Sequence, residues 1–177
     1  EAIALSLASR AGIPTADHQL VQVAGKNVLL SRRFDRAGSQ RIPFLSAMAM
    51  MGAKDGERGS YPEMVDVLSR HGAHAKADAW QLYRRVTFNV LISNLDDHLR
   101  NHGFLWQDNT GWRLSPAYDL NPVPGDLKPR VLTTSIDLDE GTCSLDLLEE
   151  SAEYFGLGLE QARGIIREVA TVTATWR

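Results

Sequence analysis

Two carboxylates and one amide near the middle of the chain have the identities and order of a phosphoryl-transfer site. Asp96 stands five residues before Asn101, and Asp119 follows after a predicted pair of strands. A carboxylate can orient an attacking hydroxyl and accept its proton, which is the role we assign to Asp96. Mg²⁺ takes hard oxygen ligands and keeps several waters, so Asn101 and Asp119 would suffice to hold it beside phosphate oxygens.

A predicted hairpin explains how ligands distant in sequence would meet. Residues 103–107 and 112–115 are rich in bulky apolar side chains, and residues 108–111 (DNTG) have the composition of a turn. If the two strands pair antiparallel, the chain leaves after Asn101 and returns just before Asp119. A lone Asp or Asn after a helix is usually a cap or a turn former. The prediction of a phosphoryl-transfer site therefore rests on all three residues together with the hairpin between them.

Hydrophobic spacing predicts the elements that must position these residues. Residues 77–93 form the strongest predicted helix and end just before Asp96. Residues 1–11 predict a helix that Gly12 terminates, and residues 18–23 and 27–32 predict a hairpin with its turn at residues 24–26.

The remaining segments predict five more elements and two loops. A helix capped by Ser60 and Glu63 should end at Gly72. A second capped helix should run from Ser144 through residue 155, and Gly156 should stop it. We further expect a buried helix over residues 42–51, a strand over residues 131–136 and a last helix over residues 159–176. Residues 121–125 should follow a non-helical path. Residues 52–59 should form a glycine-rich surface loop, because they lack the Lys-Ser or Lys-Thr of a P-loop.

Composition indicates an ordinary globular domain, or one lobe of a larger one. The chain has 177 residues, of which 44% are apolar and 23% charged, and its formal net charge of -3 gives no general basic surface for nucleic acid. The single Cys143 cannot form an internal disulfide, and no apolar run reaches the roughly 18 residues that cross a bilayer. With no signal peptide visible, we expect a cytoplasmic protein.

Two motifs of the central stretch resemble those of HipA-like serine/threonine kinases, the toxin components of bacterial toxin–antitoxin pairs. Residues 94–101 (NLDDHLRN) match N-x-D-x-H-x-x-N, and residues 114–120 (LSPAYDL) match L-x-P-x-Y-D-L. Residues 31–36, which end in RFDR, and residues 1–13, which look like a Glu-led helix of the family, also match. The resemblance covers nearly the whole chain.

The resemblance implies an α+β, predominantly helical fold: a protein-kinase-like C-terminal lobe with the end of the N-terminal lobe, one hairpin and one helix. Residues 1–36 would be the tail of the nucleotide-binding lobe and the hinge, and residues 37–177 the helical lobe. We expect both ends to be incomplete, because the chain starts without Met and the apolar face of its last helix is unfinished at Arg177.

The resemblance also implies ATP and Mg²⁺ as cofactors and assigns residues to the nucleotide. Arg33, Phe34 and Asp35 would lie at the hinge, where backbone groups meet the adenine and Phe34 forms an apolar wall. Glu1 would pair with a phosphate-holding lysine, although neither that lysine nor a glycine-rich phosphate loop is visible in these residues. Glu1 could equally be a first-turn acid favoured by the helix dipole, and the hinge charges could be a surface ion-pair cluster.

The resemblance further implies supporting residues and partners. His98 would hold the loop by hydrogen bonds, and Tyr118 would support the second motif. The substrate would be a serine or threonine hydroxyl of a protein. The partner would be a small DNA-binding, HipB-like antitoxin, which could supply the nucleic-acid contacts that this chain lacks.

Two other function classes stay open at this point. A catalytically inert pseudokinase would only dock an antitoxin or another protein. A metal-dependent hydrolase would use Asp96, His98, His102 and Asp119, although the predicted hairpin at residue 103 argues against a continuous helix that would face both histidines to one zinc. Dependence on Mg²⁺ and ATP, tightly held zinc, or neither would separate the three.

Overall fold

The computed structural model describes residues 1–124 and 129–175. Gly125, predicted to belong to a non-helical segment, and Trp176, predicted to end the last helix, lie outside the described residues.

The chain alternates short strands with helices in an α+β arrangement, 42% helical and 20% strand, as the sequence predicts. The described elements are, in order, α1 (Ala2–Arg10), β1 (His18–Val23), β2 (Lys26–Ser31), β3 (Arg36–Ala37), β4 (Gln40–Arg41), β5 (Phe44–Ser46), α2 (Ala47–Met51), α3 (Tyr61–His71), α4 (Ala75–Ile92), a 3-10 turn (Leu99–Asn101), β6 (Gly103–Gln107), β7 (Gly111–Leu114), α5 (Leu145–Glu150), a 3-10 helix (Ser151–Phe155) and α6 (Leu159–Thr173).

The first hairpin is tighter than the sequence predicts. Val23 pairs directly with Lys26, so the turn has two residues, Ala24 and Gly25, and β2 begins one residue early. Both turn residues have positive φ, 50° and 77°, which is the geometry that matches the twist of a two-residue hairpin.

The prediction of a helix over residues 42–51 is wrong in its first half. Phe44 to Ser46 form β5, which pairs antiparallel with β6, and only Ala47–Met51 is helical. Pro43 disfavours helix in the residue before it, and the Ser46 hydroxyl accepts from Ala49 N at 3.2 Å as an N-cap. An apolar run of this length cannot distinguish the two structures by itself.

The prediction of a strand over residues 131–136 is also wrong. Only single bridges occur there, from Val131 to Thr142 and from Ser135 to Ser60. The backbone of this segment bonds instead to the loop after α4, where Thr133 N donates to Leu95 O at 3.1 Å. Its conformation is therefore set by that loop and not by a sheet.

The remaining helices agree with their end signals. Ser60 and Glu63 form the capping box of α3, and Gly72 caps its end. Ser144 caps α5, but the predicted single helix to residue 155 divides into α5 and a 3-10 helix before Gly156, which has φ 67°.

Helix α4 lies at the centre of the molecule because it contributes to both hydrophobic clusters. Leu82, Tyr83 and Val86 pack in the larger cluster with α2, α3, α5 and α6, whereas Phe88 and Ile92 pack with α1. Its end is therefore a firmly held starting point for the loop that follows. Among residues 1–124 and 129–175, no helix is long and apolar enough to cross a membrane.

Candidate active site

The loop after α4 presents Asp96 at the surface. The helix ends at Ile92, one residue before the predicted end, and Ser93 turns the chain with φ 55°. Asp96 is exposed, while its neighbour Asp97 is only 1% exposed. The loop thus holds one carboxylate toward solvent and buries the next.

The side chain of Asn101 bonds back to the same loop. Its Nδ2 donates to the backbone oxygen of Asp96 at 3.0 Å. Because the amide nitrogen is used in this way, the oxygen Oδ1 is the group left for a cation; among the described residues, nothing donates to it.

The predicted hairpin β6–β7 returns the chain to the loop. Its strands pair antiparallel from Phe104 with Leu114 to Gln107 with Gly111. Beyond it, the Tyr118 hydroxyl donates to the backbone oxygen of Arg100 at 2.6 Å. Residues adjacent to Asn101 and to Asp119 are therefore in direct contact.

Asp119 has a strained backbone that two contacts hold in place. Its φ is 56°, in the left-handed region that costs most L-residues about 1–2 kcal/mol but that Asp tolerates better. Its N–H donates to Glu1 Oε1 at 3.0 Å, and its Oδ1 accepts from Asn121 Nδ2 at 2.6 Å. Strain of this kind concentrates at functional sites.

Glu1 therefore has a contact that the sequence did not suggest. The resemblance implies a lysine partner, whereas the structure brings the Glu1 carboxylate to the backbone of Asp119. The start of α1 is thereby tied to the second motif.

Arg33, Phe34 and Asp35, the residues predicted to form the hinge, line an open pocket of about 480 Å³ that also includes Tyr118. The Phe34 ring lies 5.5 Å from the Tyr118 ring and 6.0 Å from the Phe44 ring, measured between centroids. Three aromatic rings thus form an apolar wall beside the loop. Burial raises the pKa of Tyr118 to about 12, so its hydroxyl stays a donor at neutral pH.

The hinge charges form the ion-pair cluster that was the alternative interpretation. Arg33 and Arg36 each contact Asp35 Oδ2 at 2.6 Å. The hydrogen bond from Arg33 is the main cause that lowers the pKa of Asp35 to about 2. Arg33 and Asp35 also line the pocket described above. An ion-pair cluster at these residues is therefore compatible with a role beside the nucleotide.

Asp97 is a buried anchor that the sequence analysis did not single out. Its carboxylate accepts from the Tyr61 hydroxyl and lies 2.9 Å from His102 Nε2, without the alignment of a hydrogen bond. Its backbone oxygen accepts from Thr134 N at 3.0 Å. Burial and the Asp97 carboxylate raise the pKa of Tyr61 well above its usual range. The only hint in the sequence was that Asp96 is followed directly by a second aspartate, Asp97.

A small internal cavity lies beneath the loop. Its volume of about 10 Å³ is close to what one water requires, and Arg85, Asn89, Asp97, Asn101 and His102 contribute to its lining. Arg85 donates to Ser115 O, whereas its Nε and Nη1 have no partner among the described residues. Burial lowers the pKa of Arg85 to about 10, so it stays charged at neutral pH.

The histidines do not take the roles expected of them. His98 makes no side-chain hydrogen bond among the described residues, and its Nδ1 is buried without a partner, so it does not hold the loop in the predicted way. Nor do the described residues include any group of three or more His, Cys, Asp or Glu side chains that could hold one metal ion. This argues against the hydrolase with Asp96, His98, His102 and Asp119.

Two solved structures share the fold. A structure of the Shewanella oneidensis toxin–antitoxin system HipA, HipB and operator DNA matches with a TM-score of 0.83 and 20% identity, over 97% of this chain and 47% of that chain. The Helicobacter pylori proinflammatory kinase CtkA matches with a TM-score of 0.62 and 13% identity, over 99% and 83%. The fold is that of a protein-kinase-like lobe, as predicted.

The chain belongs to the HipA-like C-terminal domain family, whose model matches residues 1–176. A Haemophilus influenzae protein named "Putative kinase" is 25% identical over 131 residues, covering 64% of this chain and 38% of that protein. A Sinorhizobium fredii protein named "Putative kinase Y4mE" is 26% identical over 98% of this chain and 44% of that protein. The chain thus spans less than half the length of these relatives.

Proposed function

We propose that this chain is the catalytic lobe of a kinase that transfers a phosphoryl group from ATP to a serine or threonine hydroxyl of a protein. The observation that carries the proposal is the closure of one loop: Asn101 bonds to Asp96 O, and Tyr118 bonds to Arg100 O. Asp119 follows Tyr118 directly, so the three groups assigned to chemistry belong to one connected unit.

Asp96 is the proposed catalytic residue. It is exposed at the rim of the loop, whereas the neighbouring Asp97 is held inside by Tyr61 and cannot reach a substrate. An exposed carboxylate on a firmly anchored loop can orient a hydroxyl and accept its proton, an effect of typically about 10²–10⁴ in rate.

The proposed metal ligands are Asn101 and Asp119, and their chemistry fits Mg²⁺. They offer one amide oxygen and one carboxylate, the hard oxygen donors that this ion prefers, and the amide nitrogen of Asn101 is already committed to Asp96 O. When held by Asn101 and Asp119, Mg²⁺ would supply the positive charge that neutralises the charge developing on the transferred phosphoryl group.

The proposed nucleotide site is the pocket between the hinge and Tyr118. Phe34 and Phe44 provide the apolar surface that an adenine ring needs, and the pocket adjoins Arg100, the residue before the ligand Asn101. Residues 1–36 are accordingly proposed as the end of the nucleotide-binding lobe and the hinge, and residues 37–177 as the helical lobe.

The proposed partner is a DNA-binding antitoxin of the HipB type. The solved structure with the TM-score of 0.83 contains HipA together with HipB and operator DNA. The net charge of -3 gives this chain no general attraction to DNA, so the antitoxin would supply those contacts. The cytoplasm is the matching location for such a pair.

Phosphate transfer in the full-length protein tests the proposal. We expect ³²P from ATP to enter a protein hydroxyl only when Mg²⁺ is present. Asp96→Asn should keep nucleotide binding and lose transfer by about 10²-fold or more, because the amide cannot accept the proton. Asp108→Asn, the same change at the exposed tip of the β6–β7 hairpin, is the matched control. Equal transfer by Asp96→Asn and the parent would refute the assigned role, and nucleotide-independent docking without transfer would favour a pseudokinase.

A further inference from the structure

Asn121, a residue outside both sequence motifs, joins the proposed metal ligand to the loop of Asp96. Its side-chain Nδ2 donates to Asp119 Oδ1 at 2.6 Å, and its backbone N donates to Asn94 Oδ1 at 3.0 Å. Asn94 is 1% exposed and stands two residues before Asp96. One residue thus bonds to both halves of the site.

The contact to Asn94 continues inward as a directed chain of hydrogen bonds. Asn94 Nδ2 donates to Asn89 Oδ1 at 3.1 Å, and Asn89 Nδ2 donates to the Tyr61 hydroxyl at 3.1 Å. The Tyr61 hydroxyl in turn donates to the carboxylate of Asp97. All four interior members are at most 2% exposed.

This arrangement fixes the direction of every group in the chain. Each buried amide uses its oxygen to accept and its nitrogen to donate, so neither Asn89 nor Asn94 can flip without losing two bonds. Donation runs toward the Asp97 carboxylate, and hydrogen bonds to a charged acceptor are the stronger kind. The backbone of Asn121 is therefore held by a rigid support.

We propose that Asn121, held by Asn94, is a positioning residue that sets the orientation of the Asp119 carboxylate. By occupying Oδ1, its amide fixes the carboxylate torsion and leaves Oδ2 as the ligand oxygen. The inference rests on the proposed function, since it concerns the same metal ligand. Groups that hydrogen-bond to a metal ligand typically change metal affinity or activity by about 10- to 100-fold when removed.

Asn121→Ala tests the inference in the full-length protein. It removes the bond to Asp119 but keeps the backbone bond to Asn94, and Asn121 is exposed, so the unfolding midpoint should stay at the parent value. The readout is the dissociation constant of Mn²⁺, measured by calorimetry with a non-hydrolysable ATP analogue. We expect it to rise by about 10-fold or more, while binding of the analogue without metal is unchanged. Asn109→Ala, in the exposed β6–β7 turn, is the matched control.

A second variant tests whether Asn94 helps to hold Asn121 in place. Asn94→Ala removes the acceptor of the Asn121 backbone, and in the double variant the Mn²⁺ dissociation constant should rise by less than the product of the two single effects, because both act on one carboxylate. An unchanged Mn²⁺ affinity in Asn121→Ala, or fully multiplicative effects in the double variant, would overturn this inference alone. If the parent protein binds no Mn²⁺ with the nucleotide analogue, the proposed function and the inference both fail.

Discussion

The backbone of Asp119 has an unfavourable conformation for a residue with a side chain. With φ at 56°, it occupies a conformation that glycine adopts freely and that a side chain resists. In this conformation its backbone N–H donates to Glu1 Oε1, and its side chain accepts from Asn121 Nδ2. A strained backbone at an acidic residue next to the loop of Asp96 is consistent with the proposed ligand role.

Substitution of Asp119 should therefore separate stability from activity. Asp119→Ala and Asp119→Gly both remove the carboxylate, and we expect both to abolish phosphate transfer in the full-length protein. A positive φ at residue 119 destabilises the Ala variant but not the Gly variant. The free energy of unfolding of the Gly variant should therefore be higher by about 1 kcal/mol. Urea unfolding of the two variants measures the difference. Transfer at the parent rate by either variant, or equal stability of the two, would contradict this account of the residue.

The Asp35 cluster makes stability depend on acidic pH. The pKa of the Asp35 carboxyl is about 2 in the folded chain, below the ordinary aspartate value of about 3.9. A lowered pKa stabilises the fold fully above the ordinary value, and this contribution is lost as pH falls from about 4 to about 2. The difference in unfolding free energy between the parent and Asp35→Asn should shrink over that window. A difference in unfolding free energy between the parent and Asp35→Asn that stays constant across this pH window would reject the assignment.

At the scale of elements, the close contact of β5 and β6 supports the aromatic wall. A Cβ added at Gly103 would clash with the Phe44 ring and lie 3.1 Å from Ser115 Oγ. The absence of a side chain at Gly103 therefore lets Phe44 lie across β6, where it meets Phe34.

Gly103→Ala should consequently weaken nucleotide binding. Moving Phe44 removes part of the apolar surface that we propose for the adenine ring, so we expect the affinity for the nucleotide to fall several-fold. Gly164→Ala, in α6, is the control and should bind as the parent does, because apart from the adjacent residues and the backbone of its own helix no atom lies within 4 Å of the added carbon. Titration of the full-length variants with an ATP analogue measures the change, and equal affinity of all three proteins would exclude Phe44 from the site.

Local signals explain which elements the sequence could predict. The capping box at Ser60 and the terminating glycine at 156 act over a few residues, and the structure agrees with both. The turn predicted over residues 108–111 is also present but is one residue shorter, because Gly111 already pairs with Gln107 in β7. The predictions for residues 42–46 and 131–136 are wrong because the conformations of these segments depend on partners distant in sequence, β6 and the loop after α4. No local pattern contains those contacts.

The same reason limits what the sequence could show of the site. Asp96, Asn101 and Asp119 follow a recognisable spacing, and their roles stay predictions. The hydrogen bonds around them, from Tyr61 to Asp97 and from Asn121 to Asn94, join residues 36 and 27 positions apart. Sequence spacing cannot identify such pairs without the fold.

At the scale of the whole molecule, the chain contains the residues that we propose for metal and substrate, but its sequence shows no glycine-rich phosphate loop or phosphate-pairing lysine. We therefore expect the 177-residue chain alone to bind ATP weakly, because the phosphates lack those contacts. Calorimetry of the isolated chain against the full-length protein tests this. Micromolar affinity of the isolated chain would mean that the lobe is sufficient for binding.

The central claim is that Asn101 and Asp119 hold one divalent ion beside Asp96. The most direct measurement is a crystal structure of the full-length protein with Mn²⁺ and a non-hydrolysable ATP analogue, in which anomalous scattering locates the metal. We expect the peak about 2.1 Å from Asn101 Oδ1 and from a carboxylate oxygen of Asp119, with phosphate oxygens completing the shell. A metal peak on other side chains, or a nucleotide bound with no metal at these two residues, would contradict the claim.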